Sequence, residues 1–188
     1  MRAAGLGLFL SLSLLGLSAG QAAAACTASA TVPWTASGKQ GLKLTASAVG
    51  ASCASPVVVL SVLDAAGKPV WTTARIGENV ALFADASART PKALPGALKE
   101  WLTTGLSTSP KSSGDLPPWR AGQENPLQKK GEEFGYFAGS DMSESYYEEQ
   151  RKAKLPVFCF VQGLESESCI MAGPNASILE FGGRTFPG

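Results

Sequence analysis

Four cysteines, Cys26, Cys53, Cys159 and Cys169, constrain what this chain can fold into more than any other residues in it. An even number of cysteines in an exported protein reads as a disulfide framework, and the first 26 residues point to export. Arg2 supplies a positive charge, residues 6–17 (LGLFLSLSLLGL) form an apolar run, and Ala22 to Ala25 end it with small side chains. That is the order of a secretory signal peptide. The run falls short of the roughly 20 apolar residues that a spanning helix needs. Cleavage is expected after Ala24 or Ala25, so the mature chain begins at about residue 25 or 26.

Four cysteines allow three connectivities. The favoured set is Cys26–Cys53 with Cys159–Cys169. The second pair flanks a hairpin pattern, which would set its sulfurs opposite one another. The first would tie the mature N-terminus to the start of the core. Small residues before Cys26 also suggest a lipid anchor at that cysteine. The leucine usual at the start of such a site is an alanine here, and lipidation would leave Cys53 unpaired.

Without Arg2 the basic and acidic residues balance at fifteen each. Nucleic-acid binding rests on a clustered excess of Lys and Arg, so none is expected. No second apolar segment reaches spanning length, so no transmembrane segment is expected in the mature chain. The length from residue 26 to Gly188 suits a single β-rich globular domain with its own core.

Residues 41–49 alternate Leu42, Leu44, Ala46 and Ala48 with polar or small neighbours, the period of a strand. Residues 57–63 and 70–76 read as two β-branched strands joined by a turn over 64–67, a hairpin predicted at the centre of a sheet. Both faces of 57–63 are largely apolar, which suggests a strand sandwiched between two layers. Leu94, Leu98, Trp101 and Leu102 then recur at helical spacing, with Pro95 near the start, and predict a helix over 93–104. Residues 106–133 are rich in Ser, Pro, Gly, Lys and Glu and read as a long flexible segment with Trp119 as its one anchored residue. A second helix is predicted over 142–154, with Ser145 and Glu148, and more loosely Asp141 and Glu144, at capping-box spacing and Pro156 ending it. Residues 155–161, 168–171 and 177–181 are strands again, with Glu165, Ser166 and Glu167 forming an acidic tip between the first two. No internal repeat is evident. The fold class is α+β: an antiparallel sheet or β-sandwich core with two short helices, stabilised by disulfides.

The chain contains no histidine. That removes the commonest general base, the usual activator of a nucleophile and the commonest zinc ligand. Oxidised cysteines leave no thiolate for a metal, and no phosphate-binding glycine loop or nucleophile-elbow motif occurs in the mature chain. No cofactor and no metal site are expected.

One stretch concentrates chemistry. Residues 134–149 carry Phe134, Tyr136, Phe137, Tyr146 and Tyr147 together with Asp141, Glu144, Glu148 and Glu149. Two carboxylates beside aromatic rings suit glycan hydrolysis, with Asp141 acting alongside Glu144 or Glu148. The same stretch suits binding, with Ser140, Asp141, Tyr146 and Tyr147 as contact residues, because tyrosine gives rigid contact area and serine adapts to a partner. The plainest reading is structural: acidic residues in the first turn of a helix complement its dipole, and aromatics fill a core. Asn175-Ala176-Ser177 is a glycosylation sequon, meaningful only in a eukaryotic secretory pathway.

The closing run PVFCFVQGLESESC, with its paired cysteines, has the look of a family signature. The overall plan (exported, small, β-rich, disulfide-bonded) is similar to that of bacterial periplasmic inhibitors such as the lysozyme-inhibitor families. That is a resemblance of plan, not of motif, and fold does not imply function. The sequence leads to a non-enzymatic periplasmic or secreted protein that binds or inhibits another envelope macromolecule, a protein or a glycan. A carboxylate-based glycan hydrolase and a structural envelope component with no discrete site stand as the alternatives.

Overall fold

The computed structural model describes residues 25–126, 136–140 and 142–185. Residues 1–24 of the expected signal peptide, Phe134 and Asp141 therefore lie outside the described residues. Two antiparallel four-stranded sheets make up the fold. The first holds β1 (Cys26–Pro33), β2 (Lys43–Gly50), β3 (Val57–Leu63) and β4 (Pro69–Ile76) in sequential order. The second holds β5 (Tyr136–Ala138), β6 (Val157–Val161), β7 (Ser166–Ala172) and β8 (Ile178–Thr185) in the order β5-β8-β7-β6. Among the described residues three α-helices accompany them: α1 (Ala81–Ala84), α2 (Leu94–Thr108) and α3 (Glu144–Ala153). This is the α+β, disulfide-stabilised class that the pattern predicted, with one further four-residue helix.

The sheets are covered unequally. Alternation along β1, β2 and β3 turns Val32, Leu44, Ala46, Ala48, Val58, Leu60 and Val62 inward. They meet Phe158, Phe160, Ile170 and Ala172 from the second sheet in one core. Helix α2 closes that core along β1, β2 and β6 with a single buried stripe, Leu94, Leu98, Trp101, Leu102 and Gly105, the i, i+4, i+7 spacing of one helix face. Trp101 stands edge-on to Phe83 at 5.5 Å, and its indole N–H donates to the Val161 carbonyl at 2.9 Å. Trp71 and Arg75 of β4 reach across to Glu180 of β8 and to Gln162, just past the end of β6.

The strand buried on both faces is β6, not β3. Phe158 and Phe160 point into the first core, while Val157 and Cys159 point into a second. The continuous apolar run VFCFV is the mark of a strand covered on both sides. By contrast β3 has one buried face, and the hairpin it forms with β4 lies at the margin of its sheet. Strand β1 gives no clear sequence signal because its inward residues include Ala28 and Ala30, too small for a strong apolar alternation.

The second core holds Leu116, Tyr136, Tyr147, Val157, Cys159, Cys169, Met171 and Phe181. It is roofed by α3 and by the segment after α2. Of the stretch 106–133 expected to be flexible, residues 106–108 continue α2, and 109–126 are tied to the second core by hydrogen bonds. Ser113 is fully buried; its hydroxyl donates to the Gln150 carbonyl and accepts from the Leu155 amide. Arg151 donates to the Leu116 carbonyl at 3.0 Å. A polar sequence orders itself here because α3 and its C-terminal end satisfy its backbone, a route that composition alone does not reveal. Residues 127–133 lie outside the described residues.

Both disulfides have the favoured pairing, Cys26–Cys53 and Cys159–Cys169. Cys159 and Cys169 are register partners in β6 and β7. The Cys26 sulfur is bonded to Cys53, so it is not free for a lipid. Among the described residues, no helix is long and apolar enough to cross a membrane.

Candidate functional site

The turn between β5 and α3 carries the residues singled out for binding, and the structure divides them. Ser140 is exposed in the turn after β5. Asp141 lies outside the described residues. Ser143 is the N-cap of α3, its hydroxyl accepting from the Tyr146 amide at 3.3 Å. The capping residue is therefore neither Asp141 nor Ser145. The serine does this work because its short side chain bends back to an amide that has no partner within the helix.

Tyr146 and Tyr147 face opposite ways. Tyr146 is 38% exposed. Tyr147 is fully buried, with its ring stacked on Phe181 at 4.6 Å and Trp119 edge-on at 5.7 Å. Its hydroxyl donates to the Pro117 carbonyl at 2.8 Å. Burial, with Glu148 adding to it and Arg151 opposing it, holds the Tyr147 phenol well above its ordinary pKa. Tyr147 thus fixes the base of the turn and offers no surface to a partner. Tyr136 lies in the same core at 5% exposure, and burial first, then Tyr147 and Glu167, raise its pKa as well. Phe137, next along β5, alternates to the opposite side and is 38% exposed. The sequence grouped Phe137 with the core aromatics; the two-residue period of the strand is the signal that separates it from Tyr136.

Strand β8 makes room for this cluster through Gly182. Its φ is +142°, and a Cβ there would collide with the Phe137 carbonyl oxygen and lie 2.8 Å from the Tyr136 hydroxyl. The register of β7 against β8 shifts between Cys169 and Ile170 at this point, so Phe181 is the extra residue of a bulge, which turns its ring onto Tyr147.

The chain has no significant match among family models, curated proteins or solved structures.

The carboxylates are differently placed. Glu148 has both oxygens engaged: Oε1 accepts from the Trp119 amide at 2.7 Å, and Oε2 from Arg151 at 2.8 Å. Glu144 is exposed in the first turn of α3, where it complements the helix dipole. Glu167, expected at an exposed acidic tip, is buried and paired with Arg184 at 2.6 Å. It stands beside Cys159 and Cys169, the one grouping of three or more metal-ligating residue types among the described residues. The sulfurs of that group are joined to each other, and a disulfide is not the thiolate that zinc requires.

Proposed function

We propose that this chain is an exported, non-enzymatic protein that binds another macromolecule of the cell envelope, a protein or a glycan. The observation that carries the reading is the turn between β5 and α3. Two exposed aromatics, Phe137 and Tyr146, bracket Gly139 and the exposed Ser140 on a base fastened by Tyr147, Phe181 and Trp119. Exposed aromatic side chains on a fixed support are the usual anchors of a binding surface, since little entropy is lost when they are covered. The signal-peptide pattern and two disulfides support an oxidising, extracytoplasmic location. Hydrolysis of a glycan draws no such support from Glu148, whose carboxylate is held by Trp119 and Arg151 rather than open to a substrate; of its other candidate carboxylates, Glu144 is exposed and Asp141 lies outside the described residues.

The test is affinity capture from a native envelope extract, with Phe137→Ala and Tyr146→Ala as separate controls. Tyr147 must stay intact, since its removal would open the second core. A protein or glycan held by the natural chain and lost with either substitution supports the reading. Retention by both variants sinks it. Binding is expected to vary little between about pH 6 and 8, because the chain contributes no histidine.

A further inference from the structure

We propose that the outer face of the first sheet pairs with the same face of a second copy of this chain. The contact lies apart from the turn between β5 and α3 and does not depend on it. The register sets three rows of side chains across the four strands. One is Thr27, Val49, Val57 and Ile76. The next is Ser29, Ser47, Val59 and Ala74. The third is Thr31, Thr45, Ser61 and Thr72. None of these positions carries a charge, although the chain has 16 basic and 15 acidic residues.

Three of the seven exposed large hydrophobic residues among those described sit on this face: Val49, Val57 and Ile76. The first row is the most open, with Val49 at 46%, Val57 at 40% and Ile76 at 49% exposure. The third row is polar but self-satisfied. The Thr31 and Thr45 hydroxyls lie 2.9 Å apart, as do those of Ser61 and Thr72. Hydroxyls already bonded to each other lose little when water leaves. The third row is therefore ready to be covered by something flat and uncharged.

A second copy is the occupant with those properties. The face has no charge to select an acidic or basic partner, and it has no Trp, Tyr or Arg of the kind that anchors tight hetero-complexes. A twofold contact needs only a patch complementary to itself. With the axis between the sheets and parallel to the strands, β2 of each copy lies over β3 of the other. The valine row then meets the valine row, and the hydroxyl row meets the hydroxyl row. Small side chains suit the aligned packing of two sheets about 10 Å apart.

Strand rise and spacing give the three rows a flat area of about 400 Å². Two such faces bury on the order of 1,000 Å² once side-chain relief is included, the low end for a specific contact. The pairing should be weak, as for other contacts that bury less than about 1,200 Å².

The test is sedimentation equilibrium over a micromolar to submillimolar range. It uses the chain from Cys26 onward, with both disulfides intact. The natural chain should pass from monomer to dimer. Val59→Lys and Val59→Glu, in the middle row, should each weaken pairing at least tenfold, while an equimolar mixture of the two pairs again. Ala74→Lys, on the edge strand β4, is the second site should Val59 variants fold poorly. A chain that stays monomeric throughout overturns the proposal and leaves the face to a different partner. So does a dimer that both substitutions leave unchanged, since it must form elsewhere.

Discussion

Gly105→Ala tests the packing of α2 on the second sheet, because two physical effects there have opposite signs. Glycine inside a helix is less favourable than alanine by about 0.8–1 kcal/mol. On propensity alone the substitution stabilises the protein. Steric crowding opposes that gain and outweighs it. A Cβ at position 105 would lie 2.5 Å from the Cys159 carbonyl oxygen and 2.6 and 2.9 Å from two ring carbons of Phe158. Neither neighbour has room to move. Cys159 is backbone of β6, tied to β7 by register and by a disulfide. The Phe158 ring is fully buried between Trp34 and Phe160, each with its centroid 6.0 Å away. Overpacking a close-packed site costs about 1–3 kcal/mol. Two rigid neighbours place this one in the upper half of that range, so the net loss is about 1–2 kcal/mol after the propensity gain. Gly96, in the first turn of the same helix, is the control, since a Cβ there has nothing within 4 Å. Gly96→Ala should stabilise by up to about 1 kcal/mol. Urea denaturation with the disulfides intact reads both as changes in midpoint at constant slope, and each kcal/mol should move Tm by about 2–4 °C in a domain of this size. If Gly105→Ala is as stable as the natural protein, the close approach of α2 to β6 is wrong.

Three further outcomes are expected. Ser109→Ala removes the hydroxyl that accepts from the Cys159 amide at 2.6 Å on the free edge of β6; it should cost about 1–3 kcal/mol and speed hydrogen exchange at amide 159, and unchanged protection there would count against that bond. Tyr136 and Tyr147 both have raised pKa values in the folded chain, so their contribution is complete below the unfolded value near 10 and is lost as pH rises above about 10. The urea midpoint should fall between about pH 9 and 11 and fall less in Tyr147→Phe; equal slopes in the two proteins would show that Tyr147 does not contribute. Replacing Cys26 and Cys53 by alanine, across a separation of 27 residues, should cost more than replacing Cys159 and Cys169, across 10. Loop entropy gives about 3.5 against about 2.7 kcal/mol, and the reverse order would show that strand packing around the second bridge outweighs it.

Much of the fold is legible in the sequence because it follows from alternation. The β3–β4 hairpin, the α2 stripe and the cysteine pairing need only local period and spacing. The rest depends on what covers what. Which strand is buried on both faces turns on the partners of β6, and VFCFV is the signal for it. The ordering of residues 109–126 turns on Ser113, Tyr147 and Arg151 meeting over 30 or more residues of chain, which no local window contains. The same long-range packing divides the candidate site. Adjacent tyrosines on a helix differ by about 100° in direction, so Tyr146 and Tyr147 do not share a face, and only the second core shows which one is inside.

The unequal covering of the two sheets follows from side-chain size. Ala28, Ala30, Ala46 and Ala48 form the inner positions of β1 and β2 against which α2 lies, and small residues let a helix approach a sheet closely. The same alternation places Thr27, Ser29, Thr31, Thr45 and Ser47 outside. The four-residue unit Thr-Ala-Ser-Ala, at 27–30 and again at 45–48, therefore specifies two surfaces at once: a shallow inner face for one helix and a flat, uncharged outer face. Exposed edges and faces of sheets are ordinarily protected by charge, since bare ones invite association. Of the first sheet's outward positions beyond the three rows, Lys43 at the start of β2 supplies a charge at one margin only. A sheet whose inner residues suit close helix packing, and whose outer residues omit that protection across all four strands, has the composition of an interface on its uncovered side.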